Sequence, residues 1–146
     1  MENSKKQLKS WSILALILAG FSFANLVIQL CFVKFDKALF PTGSTEGLVF
    51  VAKIVIVVLA FLLLLPQLYI GIKGLKVAKN PDNSGAHIVW ATILLVIAVL
   101  GMISPIGSLV KQEAIRANIS ELCSLVIEAV VFFEYVVMAK AVRNGK

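Results

Sequence analysis

Gly71-Ile72-Lys73-Gly74-Leu75-Lys76-Val77-Ala78-Lys79-Asn80-Pro81-Asp82-Asn83-Ser84-Gly85 separates two of the longest apolar blocks in the chain, Leu48 to Ile72 and Ala86 to Leu109. It holds three lysines, one proline and a cluster of turn formers. Its composition predicts a hairpin between two hydrophobic helices. Lysines stay on the cytoplasmic side of a bilayer, so the same stretch predicts which way the hairpin faces.

Working outward, the apolar residues gather into four runs, and each is long enough to cross a bilayer, which takes about 20 residues. Over all 146 residues the chain is 60% hydrophobic and 15% charged, with a mean hydropathy of +0.95. A soluble domain is about 45–50% apolar and about 25% charged, so both figures point to lipid. The predicted spans are roughly 11–33, 48–72, 86–109 and 122–141, in a single transmembrane domain over residues 1–146. Helix is the expected form even for the β-branched first half of the second span, because lipid satisfies no open strand edge. The expected fold is therefore an all-α integral membrane four-helix bundle, antiparallel and up-down-up-down.

Local signals refine the spans. Trp11 stands at headgroup level before the first run, which continues well past the small-residue triplet Ser22-Phe23-Ala24. An uncleaved first span is expected rather than a signal peptide. Pro66 is expected to kink the second span, and Pro105 with Gly107 to break the third near its far end. Asn83 or Ser84 is the expected cap of the third span, with Pro81 as an alternative start. Ile115, Ile119, Leu122 and Val126 recur at spacings of four and three, so the last helix is expected to begin as an amphipathic extension outside the bilayer.

The formal charge is +6. Lysine and arginine number three at the amino end, three in the hairpin and three at the carboxyl end, against four in the other two loops together. Both termini are thus expected in the cytoplasm of a plasma (inner) membrane multi-pass protein. Trp11, Tyr69, Trp90 and Tyr135 fall toward that same face and read as an aromatic belt. Lys73, Lys76 and Lys79 are expected to meet anionic lipid headgroups. With the basic residues confined to span ends, nucleic acid is not an expected partner.

Glu128 stands in the middle of the fourth span, where a charge costs at least about 2.5–3.5 kcal/mol. Lys53 in the second span is its natural partner, and Glu121, two turns away on the same helix face, competes for that lysine. The group reads either as an ion-pair clip between helices or as a proton- or cation-binding site. Asn25 and Gln29 lie one turn apart on the first span, with Ser22 on the same stripe. They read as interhelical hydrogen-bond partners or as a polar lining, and Glu134 as an interfacial carboxylate or a further lining group. Ala15 with Ala19, and Gly20 with Ala24, have the spacing that lets helices approach closely. Cys31 and Cys123 are expected at similar depth near the outer face, where a disulfide could form if their helices are neighbours. His87, the only histidine, reads as a wet residue at a helix end.

No Walker loop, Gly-x-Gly-x-x-Gly, His-Glu-x-x-His, Gly-x-Ser-x-Gly or Cys-x-x-Cys motif occurs. An enzyme is not expected, nor is a cofactor or a metal. Two readings stand. One is an accessory subunit that stabilises or regulates another membrane protein. The other is an oligomeric transporter or channel for a cation, proton or small solute, lined by Glu128, Lys53, Asn25 and Gln29. The partner is accordingly another membrane protein or further copies of this chain.

Tyr69-Ile70-Gly71-Ile72-Lys73-Gly74-Leu75-Lys76-Val77-Ala78-Lys79, leading into Pro81-Asp82-Asn83-Ser84, resembles a pattern in small uncharacterised four-span membrane proteins of Gram-positive bacteria. The resemblance covers the hairpin and its flanking helix ends. It implies a bacterial plasma membrane and no assigned activity.

Overall fold

A computed structural model describes residues 2–32, 46–81, 85–111 and 115–145, with the side chains at 29–32, 46 and 49 outside the description. Among the described residues the only regular secondary structure is helix: α1 Glu2–Phe32, α2 Glu46–Lys79, α3 Ala86–Gly101, α4 Ile103–Val110 and α5 Ile115–Arg143. Glu2–Ile28, Phe50–Lys79, Ala86–Val110 and Ile115–Arg143 are long and apolar enough to cross a membrane, and α3 and α4 together make the third of these. Only 17–28% of each apolar window is buried inside the protein. Most of the apolar surface therefore faces outward, which water would not tolerate and hydrocarbon would. Phe21, 70% exposed, and Phe50, 65% exposed, are examples.

The helices pack α1 on α2 and α5, and α3 on α5 and α2, with α4 resting on α5. Sequence spacing explains how. On α1, Leu8, Ser12, Ala15 and Ala19 are buried. On α3 the buried set is His87, Ile88, Ala91, Leu94 and Ala98. Steps of three and four keep one narrow stripe toward the neighbouring helices, the pattern of left-handed packing at shallow crossing angles. α2 contributes Leu64, Gln67, Ile70, Val77 and Ala78, and α5 contributes Val131, Phe132, Tyr135, Val136, Ala139 and Val142. The core thus draws on the first half of α1 and α3 and the last half of α2 and α5.

Gly71, at the end of the expected second span, and Gly74, expected in the hairpin beyond it, both lie inside α2. Ordinary side chains would not fit there. A Cβ on Gly71 would stand 2.5 Å from Leu16 Cγ, and one on Gly74 would run into Ser12 Oγ and stand 2.6 Å from Tyr135 Cε2. They are contact glycines that let α1 and α5 reach the α2 backbone. α2 runs on to Lys79 and α3 begins at Ala86. Gly85 is the N-cap of α3, without a side-chain cap, and its carbonyl accepts from the N–H groups of Ile88 and Val89 at 3.0 and 3.1 Å. The cap expected at Asn83 or Ser84 lies outside the described residues.

The third span does break near its far end, at Met102, three residues before Pro105, whereas Gly107 lies inside α4. Pro105 has no N–H for the Gly101 carbonyl, and its ring collides with that carbonyl in a straight helix. The chain yields there: the Met102 N–H donates to Val99 O at 3.2 Å, a tightened turn, before α4 resumes. α2, by contrast, continues through Pro66.

Candidate functional site

Two regions bring polar side chains of different helices together, and they differ in kind. The first is a closed junction to which all four spans contribute. The Tyr135 hydroxyl of α5 donates to the Ile70 carbonyl of α2 at 2.8 Å. A carbonyl has two lone pairs, so Ile70 can accept this bond and keep its place in the helix. The Ser12 hydroxyl of α1 donates to Leu8 O at 2.7 Å. His87 of α3 meets the Tyr135 ring edge-on, centroids 6.1 Å apart and planes at 89°. Tyr135 and Ser12 are 0% exposed and His87 1%. The sequence placed Tyr135 in an interfacial belt and His87 in water; both belong to the core. A tyrosine buried at the step pattern 132, 135, 139 needs an acceptor, and that spacing was the available signal.

The second region is a cleft of about 450 Å³ between α1 and α5. Ser22 and Asn25 line it from α1, Ser124 and Glu128 from α5, with Leu18, Phe21 and Ile127 as apolar walls. Its position follows from the same stripes that build the core. On α1, Ser22 is the next step after Ala15 and Ala19. On α5, Ser124 and Glu128 continue the line of Tyr135 and Phe132 backward by three and four. One seam therefore runs the length of both helices. It is apolar and closed beside Phe132, and polar and open beside Glu128.

The expected site residues distribute as follows. Asn25 and Glu128 share the cleft, and Ser124, which sequence reading passed over, joins them. Lys53 is half-buried on α2 and does not line the cleft. Its level explains why. Counting roughly 1.5 Å per residue from the Tyr135–Ile70 contact puts Glu128 about 10 Å, Glu121 about 21 Å and Lys53 about 25 Å along their helices. The lysine is level with Glu121, which is exposed, rather than with Glu128. Glu134 is half-buried on α5. Lys73 is half-buried and Lys76 and Lys79 are exposed in the last turns of α2. Cys123 is an exposed free thiol. The side chains of Gln29 and Cys31 lie outside the description, and with them the expected disulfide. Of the two small-residue pairs, Ala15 and Ala19 are buried in the bundle, whereas nothing stands within 4 Å of a Cβ built on Gly20. No group of three or more metal-ligating side chains occurs among the described residues.

Among the described residues these features define an all-α chain with four helical segments long and apolar enough to cross a membrane, which points to a membrane protein. No family model, curated protein or solved structure matches it.

Proposed function

We propose that this chain is a bacterial plasma-membrane accessory subunit, non-enzymatic, which uses the α1–α5 cleft to hold or regulate another membrane protein. Its spans run antiparallel, up-down-up-down, with both termini in the cytoplasm where the three basic clusters gather. The junction around Tyr135 then lies in the cytoplasmic half and the cleft nearer the bilayer centre.

One observation carries this reading. Among the described residues, the polar side chains of the cleft sit between two helices only, and the cleft is open rather than enclosed. Polar groups at that depth are costly unless they find partners, and helix-to-helix recognition is their common use. The test is purification from native membranes with a photo-crosslinking residue at position 124. One defined membrane protein recovered in stoichiometric amount supports the proposal. A chain that crosslinks to nothing but lipid, or only to itself, overturns it.

Asn25 and Glu128 in one cleft also favour a second reading, the oligomeric transporter. That reading needs Lys53 on the same path, and Lys53 is absent from the lining. Solute flux in liposomes that stops with Glu128→Gln would place it first.

A further inference from the structure

We infer that the cleft receives one basic side chain, a lysine or arginine, carried at mid-membrane depth by a transmembrane helix of the partner, with Glu128 as its counter-charge. This rests on the accessory-subunit reading and names what the accessory subunit recognises.

Four observations on the cleft converge. First, among the described residues it is lined by one carboxylate and no cationic side chain: Ser22, Asn25 and Ser124 are neutral. A carboxylate in hydrocarbon calls for an opposite charge, and Lys53 is about 15 Å away along the bundle by helical rise. Second, the head group of a basic side chain is all donor, three N–H for lysine and five for arginine, with no acceptor. The cleft answers with acceptors: the Glu128 carboxylate, the Asn25 amide oxygen and two hydroxyls. Third, both basic side chains reach their charge through an apolar stem, and Leu18, Phe21 and Ile127 are apolar walls for such a stem. Fourth, the lined stretch covers only about two turns of α1 and one of α5. A volume of about 450 Å³ there is too short for a helix to lie in and too wide for one bare ion, but it seats a long side chain. The serines also keep the two helices slim at that level, so the partner backbone can come close.

A defined probe tests this without knowledge of the natural partner. The full chain is reconstituted in vesicles of phosphatidylcholine and phosphatidylglycerol, with a dye on its carboxyl terminus. Two polyleucine transmembrane peptides are added, one with a central lysine and one with leucine there, and association is read by energy transfer. The lysine peptide should associate about tenfold more tightly, the size of one good interhelical polar contact. Glu128→Gln should erase the preference and Glu128→Asp should retain part of it. Asn25→Leu, which leaves the carboxylate in place, should weaken it. Thermal unfolding of each variant shows that the bundle is intact. Equal association of the two peptides overturns the inference, as does a lysine preference that Glu128→Gln leaves unchanged. Glu128-dependent binding of dodecylamine without binding of the lysine peptide also overturns it, and assigns the cleft to a free amphiphilic amine. The two proposals fail separately. A partner captured from native membranes with no lysine preference removes only the basic side chain, and a lysine preference with no captured partner removes only the accessory role.

Discussion

Along the seam between α1 and α5, the half beside Ala15, Ala19, Phe132 and Tyr135 is closed, and the half beside Ser22, Asn25, Ser124 and Glu128 is open. The helices and their three-and-four spacing are the same throughout. What changes is the chemistry of the stripe. In lipid, apolar side chains gain nothing from meeting each other rather than the acyl chains, so closure depends on shape. Small residues on α1 and glycines on α2 let Tyr135 reach the Ile70 carbonyl. Further along, the stripe presents hydroxyls, an amide and a carboxylate, and among the described residues no side chain of opposite charge lines the cleft with them. The seam is held where backbone and ring interlock, and it parts where its polar groups outnumber their partners.

The largest test of this contrast removes the ring. Tyr135→Ala should cost about 3–5 kcal/mol, the range for emptying an aromatic site in a packed core. Unfolding in mixed micelles would measure it. The corresponding deletion in the open half, Ile127→Ala, should cost well under half as much, because Ile127 is 54% exposed. Similar losses at the two sites would mean that the cleft is closed in the membrane.

Glycine provides a sharper version at smaller scale. Gly74→Ala pushes a methyl group against Ser12 and the Tyr135 ring, and overpacking of this kind costs about 1–3 kcal/mol. Ser12→Ala should recover part of the loss in the double variant, since the methyl meets the Ser12 Oγ first. Gly20→Ala meets nothing within 4 Å and should leave stability unchanged or raise it slightly. Equal costs at 74 and 20 would remove the close approach of α1, α2 and α5 as the basis of closure.

Hydropathy made the spans legible, because four long apolar runs have few other folds open to them. The same property hid the inside. In a membrane protein an outward residue is as apolar as an inward one, so composition cannot say which stripe of a span faces the bundle. Ala15–Ala19 and Gly20–Ala24 are equally good small-residue pairs on paper, and only the first is used. The lysines ended the expected second span at Ile72 and put Gly74 in the hairpin, yet α2 carries those lysines in its last turns and runs on to Lys79. The break expected from Pro105 and Gly107 falls at Met102, because a proline disturbs the carbonyl four residues before its own ring and Gly107 adds nothing to it. Glu128 stood out at once by its cost, and Asn25 by its stripe. That they share a cleft required knowing that α1 and α5 are neighbours, a long-range fact that no local pattern carries.

A finer probe is the single hydroxyl that ties α5 to α2. Tyr135→Phe keeps the ring and its edge-on contact with His87 and removes only the bond to Ile70 O. Interhelical hydrogen bonds in membranes average about 0.6 kcal/mol and reach about 1.7, so the loss should fall in that interval. Bound by its ring alone, Tyr135 would still hold the junction. A loss as large as that of Tyr135→Ala would instead make the hydrogen bond the main closure.

The smallest expected change comes from the most conspicuous residue. Glu128→Gln alters a charge in the open half, where the side chain lines a cleft and Lys53 stands at another level. Glu128→Gln should leave unfolding unchanged or make it harder, because an amide is cheaper than an uncompensated carboxylate at that depth. A buried ion pair behaves otherwise: removing one partner strands the other and costs about 3–5 kcal/mol. The same measurement therefore separates the two roles a mid-membrane glutamate can have. A stable Glu128→Gln protein that has lost its preference for the lysine peptide makes Glu128 a recognition group. A protein that unfolds easily, and is restored when Lys53→Met is added, makes it half of an internal clip and closes the cleft against any partner.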